Sequence, residues 1–575
     1  MSVIHSGRFL VAGAAQGELL VSETALSFWG GVDSRTGTIV DQHHPLRGQS
    51  LAQRVLAVPG ARGSCSGSGT LLELILNGHA PVAIVVYELE EILSLGALVA
   101  DLMFQRSIPI LQVERSVIQG LGRFRYARIA KQGDLHVFDD PPSDGSRPDG
   151  PQADRSDTPT VRLAPIDQAF LSGEHGKAAQ LAMRLLCRMA DLQGAQTFID
   201  VSQVHIDGCI YSGPACLRFA ELLLEWQARV RVPTTLNSIS VDKRRWRALG
   251  VAEELGLPAS ALADAYLSMG ARPSFTCAPY LLDSAPGFGE QIGWAESNAV
   301  VYANSVIGAR TMKYPDFLDV CIALTGRAPL AGCHLDAGRC AALEIGVERP
   351  NGADDSYWPL LGYCCGALCG SEIPLIAGLE ATGAGPDELK AFAAAFATTA
   401  AAPMFHMSGV TPEASGQAPS RRVRISHTEL QRAWNKLNTA TERRIGLVSF
   451  GNPHLSLNEC RCLAALMDKR TKAPEVVVIV TCGRDVHDAA SKAGYVAAIE
   501  AFGAKFITDT CWCMLGEPVV PPNARTLMTN SAKYAHYAPG LVGRGVRLGS
   551  MAGCVDAAAA GEAGGDPPDW LCSLS

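Results

Sequence analysis

Short apolar runs broken by glycine, proline or charge set the rhythm of the first part of the chain. GRFLVAG, GELLVSE, RVLAVPG, APVAIVVYE and IPILQVE are strand-length runs bounded by turn residues. Between them, TLLELILNG and LEEILSLGALVADLMFQ space their apolar residues as helices do, and SFWGGVDSRTGTIVDQHHPLRGQSL is a long turn-rich connection. Residues 1–137 therefore predict a small β-rich domain. Residues 138–160, FDDPPSDGSRPDGPQADRSDTPT, cannot build a core and predict a disordered linker. Residues 161–555 alternate helical and strand patterns, as in an α/β domain, and end in two strand–loop–helix units. The tail, 556–575, is of low complexity and is expected to fray.

Polar residues interrupt the apolar pattern at a few telling places. In GWAESNAVVYANSVIGART, a helix of 100° per residue sets Ser297, Asn304 and Thr311 on one stripe beside Gly308, with Arg310 at its end. Buried hydroxyls and amides need partners, so the stripe predicts a polar neighbour or a ligand. Cys277 sits just upstream in TCAPY, at a break where a thiol suits a metal. The run ARGSCSGSG, Ala61–Gly69, joins a core strand to a helix. Linkers seldom occupy that place. Glycines there let the backbone approach a ligand, and N–H groups at a helix start attract an anion and ease ionisation of a hydroxyl. His334, Arg339, Asn452, His454, Cys482, Arg484, Cys511, Cys513, Ser531 and Lys533 fall in loops after apolar segments, where α/β sheets bind ligands. Cys364, Cys365 and Cys369 of YCCGALCG lie in an apolar helical stretch and read as core.

Composition narrows the classes. Apolar residues make up 47% of 575, ample for more than one core, and the net charge of −8 with no basic–aromatic run argues against nucleic acid. The N-terminus lacks a basic segment followed by an apolar core, so no signal peptide is expected, and no apolar run is long enough to demand a membrane span. Eighteen irregularly spaced cysteines then imply reduced thiols in the cytoplasm.

Taken together, the motifs resemble one family, the aconitase X proteins. GGVDxxTGxIxDxxHPLxGxSL at Gly30–Leu51 and RGSxxGS at Arg62–Ser68 are similar to its small swivelling domain. TCxPY, WxESxAVxxANSxxGART, GxHLDxxR, TPE, GxPHxS, DxC and TNSxK are similar to its large domain. The resemblance implies a swivelling domain fused through the linker to an aconitase-like α/β domain. It also implies removal of water next to a carboxylate, with a serine base from the swivel and an iron–sulfur cluster in the large domain. Fusion into one chain resembles the bacterial branch that dehydrates cis-3-hydroxy-L-proline to Δ1-pyrroline-2-carboxylate. The alternative is the dehydration of mevalonate 5-phosphate or another small hydroxy acid, as in the split-chain branch.

By those motifs Ser64 becomes the base. Arg62, Ser68, His44, Glu296, Ser297, Asn304, Arg310, His334, Arg339, His454, Ser531 and Lys533 become substrate contacts. Arg310, Arg339 and Lys533 are the cations expected to meet the carboxylate. Cys277 and Cys511 become cluster ligands. Where the split-chain branch has a third cysteine this chain has Asn452, which implies a smaller, 2Fe–2S centre. Asn452, Cys482 and Cys513 are the candidates for its remaining ligands. The expected partner is a small-molecule substrate, with a monomer as the expected state.

Overall fold

The computed structural model describes residues 2–62, 64–141, 159–564 and 567–572. Positions 142–158, most of the expected linker, lie outside the described residues. The architecture is mixed α/β. Residues 2–138 form one eight-stranded sheet, in the order Ser2–Ser6, Asp134–Phe138, Tyr126–Ile129, Ala15–Val21, Arg54–Ala57, Ala83–Val86, Ile110–Gln112 and Arg8–Val11. The four strands from Ala15–Val21 to Ile110–Gln112 run parallel and the outer pairings are antiparallel. Side chains alternate across a strand, and here both faces are buried. Val55, Ala57, Ala83 and Val85 fill a core on one side. Leu56, Val58, Ile84 and Val86 face the other, where helices Gly67–Asn77 and Ile92–Phe104 pack. That second core continues without a break into residues 161–331, so the two parts of the chain share it.

The rest of the chain adds three all-parallel sheets and a two-stranded antiparallel pair. Three strands, Val204–Ile206, Thr234–Leu236 and Gly293–Trp294, lead to the helix of GWAESNAVVYANSVIGART, which begins at Ser297. A four-stranded sheet follows within residues 343–424. The last sheet runs Lys505–Ile507, Val477–Thr481, Leu447–Phe450, Thr526–Thr529, Gly545–Leu548. Its chain order reverses at Leu447–Phe450, and such a switch point opens a crevice beyond the strand ends. The loop that leaves Leu447–Phe450 carries Asn452, and the helix after Thr526–Thr529, Ala532–Val542, carries Lys533 in its first turn.

Two expectations change. The helix that begins at Ser297 is shorter than its apolar pattern: Ser297–Tyr302 is α-helical, Ala303–Ile307 is a π turn, and Gly308 ends it with φ +78°. That positive φ is what favours glycine there. The tail does not fray over its described length. Met551–Ala560 is helical, and Trp570 is buried with its indole N–H on Asp354 Oδ1 at 3.2 Å. The Leu571 carbonyl meets His427 Nε2 at 2.7 Å. One buried tryptophan outweighs the small, flexible residues around it. Among the described residues no helix is long and apolar enough to cross a membrane.

Candidate active site

A narrow cavity between the two parts is lined by Ser64 and Trp29 from one side. Asn237, Glu296, Ser297, Cys511, Cys513, Lys533 and Tyr537 line it from the other. Ser64 is half-buried on the turn that enters helix Gly67–Asn77. Its Oγ donates to Ser66 Oγ at 3.2 Å and accepts from the Ser66 N–H at 3.2 Å. Two glycines of this loop, Gly67 and Gly69, answer to protein neighbours. A Cβ at Gly67 would meet Ile92 at 2.9 Å, and one at Gly69 would meet Cys216 and Ser212 at 3.2 Å.

Opposite Ser64, Glu296 gathers the polar groups. It accepts from Lys533 Nζ at 2.9 Å, from Asn237 Nδ2 at 3.2 Å and from Asn298 Nδ2. Burial works against the Glu296 charge, but Lys533 and the amide donors carry its pKa below the usual value. Burial likewise opposes the Lys533 charge, yet Glu296 and the three nearby thiols carry its pKa well above the usual value. The cavity therefore presents a cation whose own counter-ion leaves it positive at neutral pH.

Beside them the thiols of Cys277, Cys511 and Cys513 form a hydrogen-bonded string. Burial pushes Cys277 well up. Cys511 rises to about 12: the Cys277 hydrogen bond acts downward, but the Cys513 hydrogen bond and burial outweigh it. Cys513 is held below the ordinary thiol value by its Cys511 hydrogen bond, with Lys533 and Asn452 adding to the effect. Asn452 Nδ2 donates to Cys513 Sγ at 3.1 Å, while its buried Oδ1 has no partner. His454 ties together the loops that carry Cys277, Asn452 and Cys511. Its N–H meets Cys277 Sγ at 3.4 Å, Nδ1 accepts from Thr276 Oγ1 at 3.1 Å and Nε2 donates to the Thr510 carbonyl at 2.9 Å. Among the described residues no three His, Cys, Asp or Glu side chains close around a single-ion site. The donor chemistry, buried thiols beside an orphaned amide oxygen, nevertheless fits an iron–sulfur group. Cys482 lies apart, packed in the core of the last sheet with Cys460. Cys364, Cys365 and Cys369 lie in helix Tyr357–Cys369, inside the core as expected.

Most of the expected substrate contacts have internal partners. Ser297 and Glu296 line the cavity, but Asn304 does not join them. It lies on the π turn, and its amide accepts from Thr311 N and donates to Thr311 O and Pro403 O, which closes the loop after the helix. Arg339 is spent on Glu413, with Nε on both carboxylate oxygens at 3.1 and 2.9 Å, and on the Asn304 and Cys333 carbonyls. Arg310 pairs with Asp336 and reaches Glu413 at 3.9 Å. His334 lies between Tyr314 and Gln291, and burial with the two arginines lowers its pKa to about 4. Arg62 donates to Asp41 Oδ2 at 2.7 Å and the Ala25 carbonyl at 2.9 Å. His44 uses both ring nitrogens, on Thr24 O and Leu46 N. Ser68 reaches the Cys65 and Asp316 carbonyls, and Ser531 caps its helix by accepting from Tyr534 N. In each case an internal partner already meets the charge or hydrogen-bonding capacity that made the residue look available.

A measurable consequence attaches to Arg339. Its side chain is 3% exposed, so Arg339→Met breaks a buried pair and is expected to cost about 3–5 kcal/mol in denaturant unfolding. KM of the folded fraction should stay near wild type. A raised KM with unchanged stability would return Arg339 to the substrate.

Asn237, Asp207, Trp29 and Tyr537 were not foreseen. Asp207 and Asn237 each sit just past a strand end, a position that could have marked them. Trp29 stacks edge-on against Tyr537 across the two parts, ring centres 5.4 Å apart, a pairing that spacing along the chain does not encode.

A serine on a separate sheet that faces buried thiols, beside Asn452 and Lys533 at a parallel-sheet switch point, is the layout of an aconitase-type lyase. The chain belongs to the aconitase X family. The family's swivel-domain model matches residues 4–137, and its first, second and third domains match 160–337, 341–435 and 445–560. The chain is 57% identical to the cis-3-hydroxy-L-proline dehydratase of Pseudomonas aeruginosa, over 98% of each chain. It is 50% identical to the enzyme of the same name from Hypocrea jecorina, over 99% of this chain and 97% of that one. Among solved structures, Thermococcus kodakaraensis aconitase X in its holo form matches with a TM-score of 0.63 and 27% identity, over 69% of this chain and 100% of that one.

Proposed function

We propose that this chain is a hydro-lyase that removes water from cis-3-hydroxy-L-proline, giving an enamine that tautomerises to Δ1-pyrroline-2-carboxylate. The observation that carries the reading is the convergence of Ser64, Lys533 and the Cys511–Cys513 thiols on one cavity. Near-full-length identity to two dehydratases of that name supports it. Lys533, held by Glu296, receives the substrate carboxylate and sets C2 toward Ser64. Ser64 takes the C2 proton. Trp29, Ile210, Met514 and Tyr537 offer the ring an apolar wall and keep water away from C2. Cys277, Cys511 and Cys513, with Asn452 beside them, would hold an iron–sulfur group of the 2Fe–2S kind. When bound, that group supplies Lewis acidity toward a substrate oxygen. A phosphorylated substrate would need a second cationic site, and Arg310 and Arg339 are already matched by Asp336 and Glu413.

The test is turnover of cis-3-hydroxy-L-proline by anaerobically purified protein, with the cyclic imine detected in the product. Dehydration of mevalonate 5-phosphate in its place would overturn the reading. Lys533→Met is expected to lower kcat/KM by about tenfold to a hundredfold, the worth of about 1.5–3 kcal/mol for a hydrogen bond to a charged group. Unchanged efficiency would remove Lys533 from the carboxylate.

A further inference from the structure

We propose that Ser66 and Asp207 form a two-step proton relay behind Ser64, joining the swivelling sheet to a buried carboxylate of the opposite domain. The inference rests on the reading of Ser64 as the base and adds how that base is made competent. Ser64 Oγ donates to Ser66 Oγ at 3.2 Å, and Ser66 Oγ donates to Asp207 Oδ2 at 3.2 Å. The donors thus already point one way, from the cavity into the protein. The second contact, of Ser66 N on Ser64 Oγ, fixes the two hydroxyls in register. Asn237 Nδ2 holds the other Asp207 oxygen, and Asp316 hydrogen-bonds to the same carboxylate.

Asp207 is suited to receive a proton. It is fully buried, and among the described residues it has no Lys or Arg counter-ion. It shares its surroundings with the carboxyl groups of Asp316 and Asp319, and Asp316 hydrogen-bonds to it, a contact that raises the proton affinity of Asp316 and lowers that of Asp207. Burial first, then Glu296 and Asp319, raise its affinity for a proton. A serine hydroxyl alone is a poor base at neutral pH, and the general remedy is an adjacent base to take its proton.

The balance is as follows. The C2–H bond breaks and its proton forms the O–H bond on Ser64, while the former Ser64 proton moves to Ser66 and the Ser66 proton to Asp207. The C2 electron pair becomes the C2–C3 double bond as the C3–O bond breaks and hydroxide leaves. The Asp207 proton then returns through the same two hydroxyls to the hydroxide, which forms water and restores the carboxylate. No standing alkoxide is needed. Ser66 and Asp207 are positioning and relay groups, since neither touches the substrate.

The experiment uses the full-length, metal-loaded enzyme and two variants, Ser66→Ala and Asp207→Asn. Each is expected to lose about a hundredfold or more in kcat, with KM and the visible spectrum near wild type. In mixtures of H2O and D2O, wild-type kcat should follow a curved proton inventory, from several protons in motion, and Ser66→Ala a linear one. A linear wild-type inventory would overturn the relay without recourse to any variant. Wild-type kcat in Ser66→Ala, with Ser64→Ala inactive, would overturn the relay and leave Ser64 as the base. Wild-type turnover in Ser64→Ala would instead remove the base, and the relay with it.

Discussion

Ser64→Ala is expected to lower kcat by about two to four orders of magnitude, the usual worth of a positioned acid or base. The fold and the visible spectrum should persist, because Ser64 is half-buried and, among the described residues, its side chain hydrogen-bonds only to Ser66. The competing account makes Ser64 a helix cap. Helix Gly67–Asn77 receives no side-chain cap hydrogen bond at its start, and the Ser64 hydroxyl accepts from Ser66 N before the helix begins. If capping were its role, alanine would cost about 1 kcal/mol of stability and little rate. The two accounts therefore separate on kcat and melting measured in the same preparation.

The second large effect concerns the thiols. Cys277→Ser, Cys511→Ser and Cys513→Ser should each abolish both the visible absorption of anaerobically purified protein and its activity. Thiolates are the ligands that select iron–sulfur clusters, and serine keeps the volume but not the sulfur. Cys513 is the most ready of the three to ionise, since its Cys511 hydrogen bond, Lys533 and Asn452 all favour the charged form. Alanine at Cys364, Cys365 or Cys369 should leave the spectrum unchanged, because these side chains pack inside helix Tyr357–Cys369 and its core. Loss of colour from the latter set, with the former intact, would move the cluster to YCCGALCG.

What could be read from the sequence is what depends on local pattern. The short apolar runs around Leu56 and Ile84 became central strands buried on both faces, and the loop holding Ser64 was marked by its place between strand and helix. Asn452 and Lys533 were marked by their place after strands of an α/β sheet, although Lys533 stands in the first turn of a helix rather than in a loop. Pairings were not legible. Arg339 and Glu413 each look like a free charge along the chain, and only the fold joins them. Asn304 looked like a member of a ligand-facing stripe because periodicity assumes that the helix continues. A π turn and Gly308 end it, and the amide clasps Thr311 instead. Cys482 and Cys513 were indistinguishable by spacing, since the separation depends on which side of the last sheet each loop leaves. Asp207 was missed because a single aspartate after a short strand is ordinary until Ser66 is seen to reach it.

The central claim is that the C2 proton of cis-3-hydroxy-L-proline leaves to Ser64 in this cavity. Its most direct test uses substrate carrying deuterium at C2, incubated with wild-type enzyme and with Ser64→Ala, with the label followed in solvent and the imine in product. Wild-type protein should release deuterium as the imine forms, and Ser64→Ala should retain both label and substrate on the same timescale. Release of deuterium at the wild-type rate by Ser64→Ala, or imine formed by wild-type protein with the C2 label kept, would contradict the account.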